Sequence, residues 1–297
     1  MKQKFLLVFL AVFVLSLTAT AQLKKRIAIS RFEDRSGSGY NHLGAGVADM
    51  LATALVKTGK FSVIERDELD KIIAEQKLGE SGLVTAQTAP KVGQLLGAEL
   101  FVVGAVTECG TKESNIGGGI SVFGGGLKTK KARTVVDIRL INTSTGEIVT
   151  AESEEGTEST TGVAVRYEDL DFNNQDSWDN TDIGKATREA VNKTVELIAE
   201  NSEKVPWSGK ILKVNSDGTV LMKPGSEGNV EPGMVFFVVR KGEEIKDPDT
   251  GLSLGAEETK VGKIKAIEDM LRGKVMKATI VEGKDFQIGD IVRDKEK

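Results

Sequence analysis

The sequence predicts an α/β domain followed by a small all-β domain, and two observations carry this prediction. Between residues 24 and 107, short β-prone runs alternate with amphipathic helical patterns, as in α/β folds. Beyond Pro206, short alternating segments are separated by turn signals such as Asp217-Gly218, which is typical of a small β-barrel. We therefore expect one domain over residues 22–204 and an SH3-like barrel over residues 205–297.

Each element of the first domain has its own signal. Apolar residues at helical spacing, with Gly59 and Gly97 as C-terminal stops, predict helices, and unbroken apolar runs predict buried strands. The expected order is a strand at 27–32, a helix at 43–58, a strand at 61–64, a helix capped by Asp67, a helix at 88–96 and a strand at 99–107.

The middle of the chain predicts a β-hairpin followed by a helix. Residues 128–142 alternate with period two, and this places a more apolar set on one face. That set is Ala132, Thr134, Val136, Ile138 and Leu140. A turn at 143–146 begins a returning strand, residues 152–180 are very polar, and the helix predicted at 183–202 should pack back onto the α/β layer.

The N-terminus predicts export. Lys2 and Lys4 precede an apolar run at 5–17 and the small-residue pattern Ala19-Thr20-Ala21, which together indicate a signal peptide over residues 1–21. A retained anchor is the disfavoured alternative, because the run is shorter than the roughly 20 residues of a spanning helix. We therefore expect cleavage before Gln22.

Composition excludes several classes of function. The net charge of −4 becomes two units more negative once the signal peptide is removed, so nothing indicates a nucleic-acid partner. Cys109 is the single cysteine and His42 the single histidine, which argues against an internal disulfide, a histidine-rich metal site and a cysteine-histidine catalytic pair. We expect no cofactor, no metal and no enzymatic activity.

Three further patterns have simpler explanations than a ligand site. The glycine triplets at 117–119 and 124–126 lack the phosphate-loop spacing and are better explained as hairpin tips. The acids from Asp169 to Asp182 lack the ordered calcium-loop pattern and predict a solvated or lumen-facing surface. Tyr167 and Trp178 fit either a membrane-interface belt or the anchor of a soluble hairpin.

Several ordered motifs resemble the CsgG-like family of curli secretion proteins over about residues 24–202. These motifs are Ile64-Glu65-Arg66, Ile73-Ala74-Glu75-Gln76, Val92-Gly93-Gln94-Leu95-Leu96-Gly97-Ala98, Val103-Gly104-Ala105-Val106-Thr107-Glu108 and Leu140-Ile141-Asn142-Thr143-Ser144-Thr145-Gly146-Glu147-Ile148-Val149. Members of this family usually carry a lipid on a cysteine after the signal peptide, whereas Gln22 stands at that place here, so we expect no lipid anchor.

The resemblance implies a homo-oligomeric ring that catalyses nothing and uses no cofactor. Each subunit would add two hairpins, at about 113–142 and 148–182, to one β-barrel in the outer membrane, through which unfolded polypeptide such as curli-type fibre subunits would pass. The face that begins at Ala132 would then contact lipid. Residues 156–180 are too polar to offer a lipid-facing strand of about 9–11 residues, so a soluble periplasmic ring or scaffold remains the alternative.

The resemblance also implies a pore constriction formed by an aromatic residue and an asparagine. The corresponding loop is 33–41, where Tyr40 and Asn41 are the two residues able to take those parts. The alternative is an ordinary turn, with Tyr40 half-buried and Asn41 in a local backbone bond.

The C-terminal segment resembles the small β domain at the end of the flagellar assembly T protein. That resemblance implies a periplasmic contact module and, as partners, other secretion or flagellar envelope proteins. The residues that carry it include Gly209-Lys210-Ile211, Pro232-Gly233, Arg240-Lys241-Gly242, Asp247-Pro248-Asp249 and Gly289-Asp290.

Overall fold

The computed structural model describes residues 22–64, 89–116, 127–161, 172, 178–246, 248 and 253–296 of the 297-residue chain. Several predicted features lie outside the described residues. They are the signal peptide, the helix capped by Asp67, both glycine triplets and Tyr167.

The strands of the first half of the chain form one mixed sheet. Its strands are β1 (Lys25–Ile29), β2 (Glu33–Asp34), β3 (Phe61–Val63), β4 (Leu100–Ile116), β5 (Leu127–Asn142) and β6 (Ile148–Thr161). They lie in the order β3-β1-β4-β5-β6, with the short β2 paired to β4. The first three strands run parallel to their neighbours, whereas β4, β5 and β6 form two successive antiparallel hairpins. The chain therefore changes from α/β crossovers to a meander after β4.

Helices cover both faces of this sheet. They are α1 (Leu43–Lys57), α2 (Ala89–Leu96) and α3 (Asp182–Ser202). The Thr181 hydroxyl caps α3 by accepting a 3.0 Å hydrogen bond from the Gly184 amide, and Asp182 adds a negative charge to the first turn. The main core joins α1 and α3 to one face, and a smaller cluster packs α2 on the other. The predicted mixed α/β fold is confirmed at this level, with strands predominating.

A closed six-stranded barrel follows the linker at Val205-Pro206. Its strands are β7 (Ser208–Val214), β8 (Thr219–Lys223), β9 (Val235–Lys246), β10 (Ser253–Met270), β11 (Val275–Gly283) and β12 (Ile291–Arg293), in the order β10-β11-β8-β7-β12-β9. Trp207 and Phe236 fill its core with ring centroids 5.3 Å apart. The buried Asp290 carboxylate accepts two bonds from the Arg240 guanidinium, at 2.8 and 3.0 Å, and ties β9 to the turn before β12.

Two strands are long. β4 extends past the strand predicted at 99–107 and continues to Ile116, and β6 continues to Thr161 through a very polar segment that lies within the hairpin expected at about 148–182. Both are held by β5, which pairs with β4 from Leu100↔Asn142 to Ile116↔Leu127. A strand whose backbone is paired in this way does not need an apolar sequence of its own. None of the helices in the described ranges is long and apolar enough to span a membrane.

Candidate functional site

The loop between β1 and α1 contains the predicted constriction residues. The Glu33–Asp34 strand anchors its beginning on β4, and the Arg35 amide donates a 2.8 Å bond to the Val106 carbonyl. The Asp34 carboxylate then accepts two bonds from Ser36, at 2.9 Å from its amide and 2.6 Å from its hydroxyl. The start of this loop is therefore fixed to the sheet.

The structure places Tyr40 against the core and Asn41 at the surface. The Tyr40 ring lies 6.2 Å from the ring of Phe172, which in turn stacks on Trp178 at 4.9 Å. Burial, with a smaller contribution from Cys109, raises the pKa of Tyr40. The Asn41 side chain is exposed, and its backbone carbonyl accepts a 3.1 Å bond from the Phe172 amide. Tyr40 is therefore half-buried, as the ordinary-turn alternative requires, whereas the bond of Asn41 is to a residue distant in sequence. The constriction formed by these two residues stays a prediction.

Trp178 is equally part of this packing. Its side chain is 3% exposed, and the Arg188 guanidinium lies 5.8 Å from its ring centroid. Of the two roles left open by the sequence, these contacts favour that of an anchor within the folded domain.

The apolar face of β5 is buried inside the protein in this conformation, and its contact with lipid stays a prediction. Its five residues are at most 2% exposed, and the four apolar ones belong to the core that joins the sheet to α3. A side chain in contact with lipid must be on the surface, so these residues do not face a membrane in this conformation. They are Ala132, Thr134, Val136, Ile138 and Leu140.

Close contacts hold α3 on this face. The hydroxyl oxygens of Thr134 and Thr187 are 3.0 Å apart, so a hydrogen bond links β5 to the helix inside the core. On β6, a Cβ atom at Gly156 would lie 1.8 Å from the Ala186 carbonyl oxygen and 2.5 Å from the Ala190 amide nitrogen. Only a glycine lets the strand approach the helix so closely.

The opposite face of the same hairpins is charged. Arg133 on β5 pairs with Glu155 on β6, at 3.0 Å, and also with Glu108 on β4. The hydrogen bond from Arg133 holds the pKa of Glu155 below its usual range. The Ser153 hydroxyl donates a 2.6 Å bond to Asp137 nearby. This face is therefore polar and partly exposed, in contrast to the face under α3.

Cys109 has the properties of a packing residue. Its side chain is 8% exposed, and the Thr134 hydroxyl donates to its sulfur at 3.6 Å. Burial raises the pKa of this thiol to about 11, which keeps it in the unreactive protonated form. His42, the other residue of the rejected catalytic pair, is exposed at the start of α1. Among the described residues, no group of three His, Cys, Asp or Glu side chains is arranged to hold a metal ion.

The junction between the sheet and the barrel contains a buried carboxylate that the sequence did not reveal. Glu99 is 4% exposed, and its two oxygens accept bonds from the backbone amides of Arg26, at 2.7 Å, and Ser208, at 3.0 Å. Burial outweighs these bonds and raises the pKa of Glu99 to about 7. Trp207 also donates a 3.2 Å bond to the Lys24 carbonyl. In the sequence, Glu99 is a single glutamate before an apolar strand, and nothing there indicates that its side chain is buried between the sheet and the barrel.

The chain is similar to several known proteins. It is 29% identical over 183 residues to the protein named "Putative lipoprotein NMB1126/NMB1164" of Neisseria meningitidis serogroup B, a match that covers 58% of this chain and 75% of the relative.

Solved structures resemble it at low sequence identity. Hypothetical protein CT253 from Chlamydia trachomatis matches with a TM-score of 0.39 and 15% identity, over 60% of this chain and 96% of that one. Lipoprotein GNA1162 from Neisseria meningitidis gives 0.33 and 16%, over 46% and 84% of the two chains. The PelC dodecamer from Paraburkholderia phytofirmans gives 0.30 and 13%, over 58% and 86%.

The family model described as curli production assembly/transport component CsgG matches residues 9–225, which is more than half of the chain. This match includes the sheet, the three helices within the described residues and the first two strands of the barrel. The chain therefore belongs to the CsgG family, as the sequence motifs predicted, and is an exported protein associated with the outer membrane or periplasm.

Proposed function

We propose that this chain is a scaffold subunit of a secretion apparatus in the periplasm or at the outer membrane, that it assembles into a homo-oligomeric ring, and that it works with α3 packed on the apolar face of β5. The role requires neither a cofactor nor a catalytic step. Membership of an assembly and transport family supports the secretion context.

The observation that carries this proposal is the burial of the β5 face. Ala132 and Leu140, near the two ends of the apolar set, are both 0% exposed beneath α3. Inserting the hairpins in lipid would require the helix to leave this face and expose its own apolar stripe, including Ile183 and Ile198, unless that stripe found another partner. In the folded form described here, the hairpins already bury their apolar side.

A non-energised export channel for unfolded polypeptide is the second candidate, and strand length favours it. β4, β5 and β6 contain 17, 16 and 14 residues, each more than the roughly 9–11 that a membrane strand needs. In this candidate the ring would form one barrel from neighbouring hairpins, with Tyr40 and Asn41 near a constriction. The C-terminal barrel, which resembles that of a flagellar assembly protein, would contact envelope partners in either case.

Extraction from cell envelopes distinguishes the two candidates. For the scaffold, we expect the mature chain in the periplasmic fraction, or released from membranes by alkaline carbonate, as an oligomer that gives no conductance in planar bilayers. A carbonate-resistant oligomer that conducts ions would contradict the scaffold and support the channel. In that event Tyr40→Ala should alter the conductance, whereas Tyr40→Phe should preserve the aromatic contact.

A further inference from the structure

A cleft with a volume of about 580 Å³ lies between the sheet and the barrel. One wall comes from β1, β3 and the segment after α2, and the other from β7, β8 and the turn before β11. Its position is fixed by the contacts on both sides of the junction, such as the 3.0 Å bond from the Lys24 amide to the Gly228 carbonyl. A concave site of this size between two units is typical of small-ligand binding.

The charged side chains that line this cleft are almost all basic. Seven of the lining residues are lysine or arginine, and Glu227 is the one acid among them. Arg293 is neutralised by Glu258 at 2.8 Å. The other six form no ion pair within the described part of the chain. These six are Lys24, Arg26, Lys210, Lys223, Lys241 and Lys274.

The charges converge from both walls. Lys223 on β8 remains partly accessible, but desolvation in the cleft and the positive charges of Arg26 and Lys210 all lower its pKa. Arg26 belongs to the sheet and Lys210 to the barrel, so cations of both units face the same space. Bringing like charges together costs free energy, and an anion between them would remove that cost.

One backbone feature makes room for the arginine. A Cβ atom at Gly97 would lie 2.8 Å from Nη1 of Arg26, and the φ angle of this glycine is +68°. Glycine therefore both ends α2 in the left-handed conformation and leaves space for the guanidinium. The planar guanidinium and the flexible ammonium groups are the side chains that proteins use to bind phosphate.

We propose that the cleft binds an anion with two or more phosphate groups, held between Arg26 of the sheet and Lys210 and Lys223 of the barrel. The six cations exceed what a single negative charge can neutralise, which is why we infer a multivalent ligand. A free phosphate ester and a phospholipid headgroup share this chemistry. A ligand that touches both walls would also fix the two units relative to each other.

Calorimetric titration of the full mature chain with sodium pyrophosphate tests this inference. We expect saturable binding below about 1 mM, and a loss of about tenfold in affinity for Lys210→Gln and for Lys223→Gln, since each removes one charge-assisted contact. Lys213→Gln is the matched control, because Lys213 is exposed on the same strand as Lys210 and does not line the cleft. It should bind within about twofold of the unchanged protein. Circular dichroism verifies that each variant is folded.

A second arm identifies the source of the phosphate. Sedimentation with cardiolipin vesicles, whose lipid headgroup carries two phosphates, reports headgroup binding, with phosphatidylcholine vesicles as the blank. Binding to the anionic vesicles and not to the neutral ones, if Lys210→Gln abolishes it, would support a lipid headgroup as the ligand of the cleft. The inference is overturned if neither pyrophosphate nor anionic vesicles bind, if Lys213→Gln weakens binding as much as Lys210→Gln, or if citrate competes as well as pyrophosphate.

Discussion

Glu99 is a single side chain that bonds to both the sheet and the barrel. It lies immediately before β4, and its oxygens accept amide hydrogens from β1 and from the first residue of β7. A buried carboxylate that loses its solvent is unfavourable in its charged form, which raises its pKa from 4.5 to about 7. The junction is therefore sensitive to pH within the ordinary experimental range.

We expect stability to fall as the pH rises from about 4.5 to 7. In this window the folded protein keeps a proton on Glu99 that the unfolded chain has released, so the folded state binds more protons. The free energy of unfolding should decrease by up to about 1.4 kcal/mol per pH unit there and not change further on account of Glu99 above it. Urea midpoints measured from pH 5 to pH 8 would show this slope.

Glu99→Gln should remove most of that slope, because an amide does not titrate. Glu203→Gln is the matched control, since Glu203 is an exposed acid near the same junction. A Glu99→Gln protein with the same pH dependence as the unchanged chain would show that another group is responsible.

Sequence could not have identified Glu99 or the six cations of the cleft. The cations are spread from Lys24 to Lys274, and no spacing relates them. They meet only because the barrel docks beside β1, where the Asn229 side chain also donates a 2.8 Å bond to the Gln22 carbonyl. By contrast, Tyr40 and Asn41 were found from a resemblance, and their contacts could be determined only once Phe172 was placed.

At the scale of elements, the packing of α3 on β5 and β6 decides whether the apolar face of β5 is buried inside the protein. At Gly156 the strand lies so close to the helix that a Cβ atom would be 1.8 Å from the Ala186 carbonyl oxygen. Any side chain there would collide with the helix backbone, which cannot move aside as a flexible side chain could.

Gly156→Ala should therefore lower the free energy of unfolding by about 1–3 kcal/mol or more. Gly110→Ala is the control, because Gly110 lies on neighbouring β4 and a methyl group added there would have no atom within 4 Å. That variant should be close to neutral. Equal urea midpoints for the two variants would contradict the close packing of β6 on α3.

The period-two pattern of residues 128–142 predicted both the strand β5 and its apolar face correctly. The pattern contained no information on what covers that face, because lipid and the apolar stripe of α3 both exclude water. The separate prediction that helix 183–202 packs back on the α/β layer did indicate what covers this face. A helix packed there and a membrane would compete for the same side chains of β5. The strand predicted at 99–107 is shorter than β4 because pairing with β5, rather than the composition of β4, sets where β4 ends. Pairing with β5 likewise carries β6 through a polar segment.

At the scale of the whole molecule, the described residues form a sheet covered by helices and a closed barrel, which meet at a junction. The sheet with its helices and the closed barrel each have their own core. Their shared cleft is basic, while the chain as a whole is acidic, with a net charge of −4. The cleft is therefore positively charged although the net charge of the chain is negative. Such a local concentration of charge is expected of a binding site, whereas charges that only keep a protein soluble are spread over its surface.

The central claim is that the working protein keeps α3 on the β5 face, and a disulfide across that contact tests it most directly. In a Cys109→Ser background, cysteines replace Thr134 and Thr187, whose hydroxyl oxygens are 3.0 Å apart. Non-reducing electrophoresis of oligomer isolated from the oxidising envelope then reports the fraction joined, with the Thr134→Cys single variant as the control. We predict nearly complete cross-linking in the assembled ring. An assembled ring in which position 134 stays uncrosslinked and reacts with a maleimide would contradict the account.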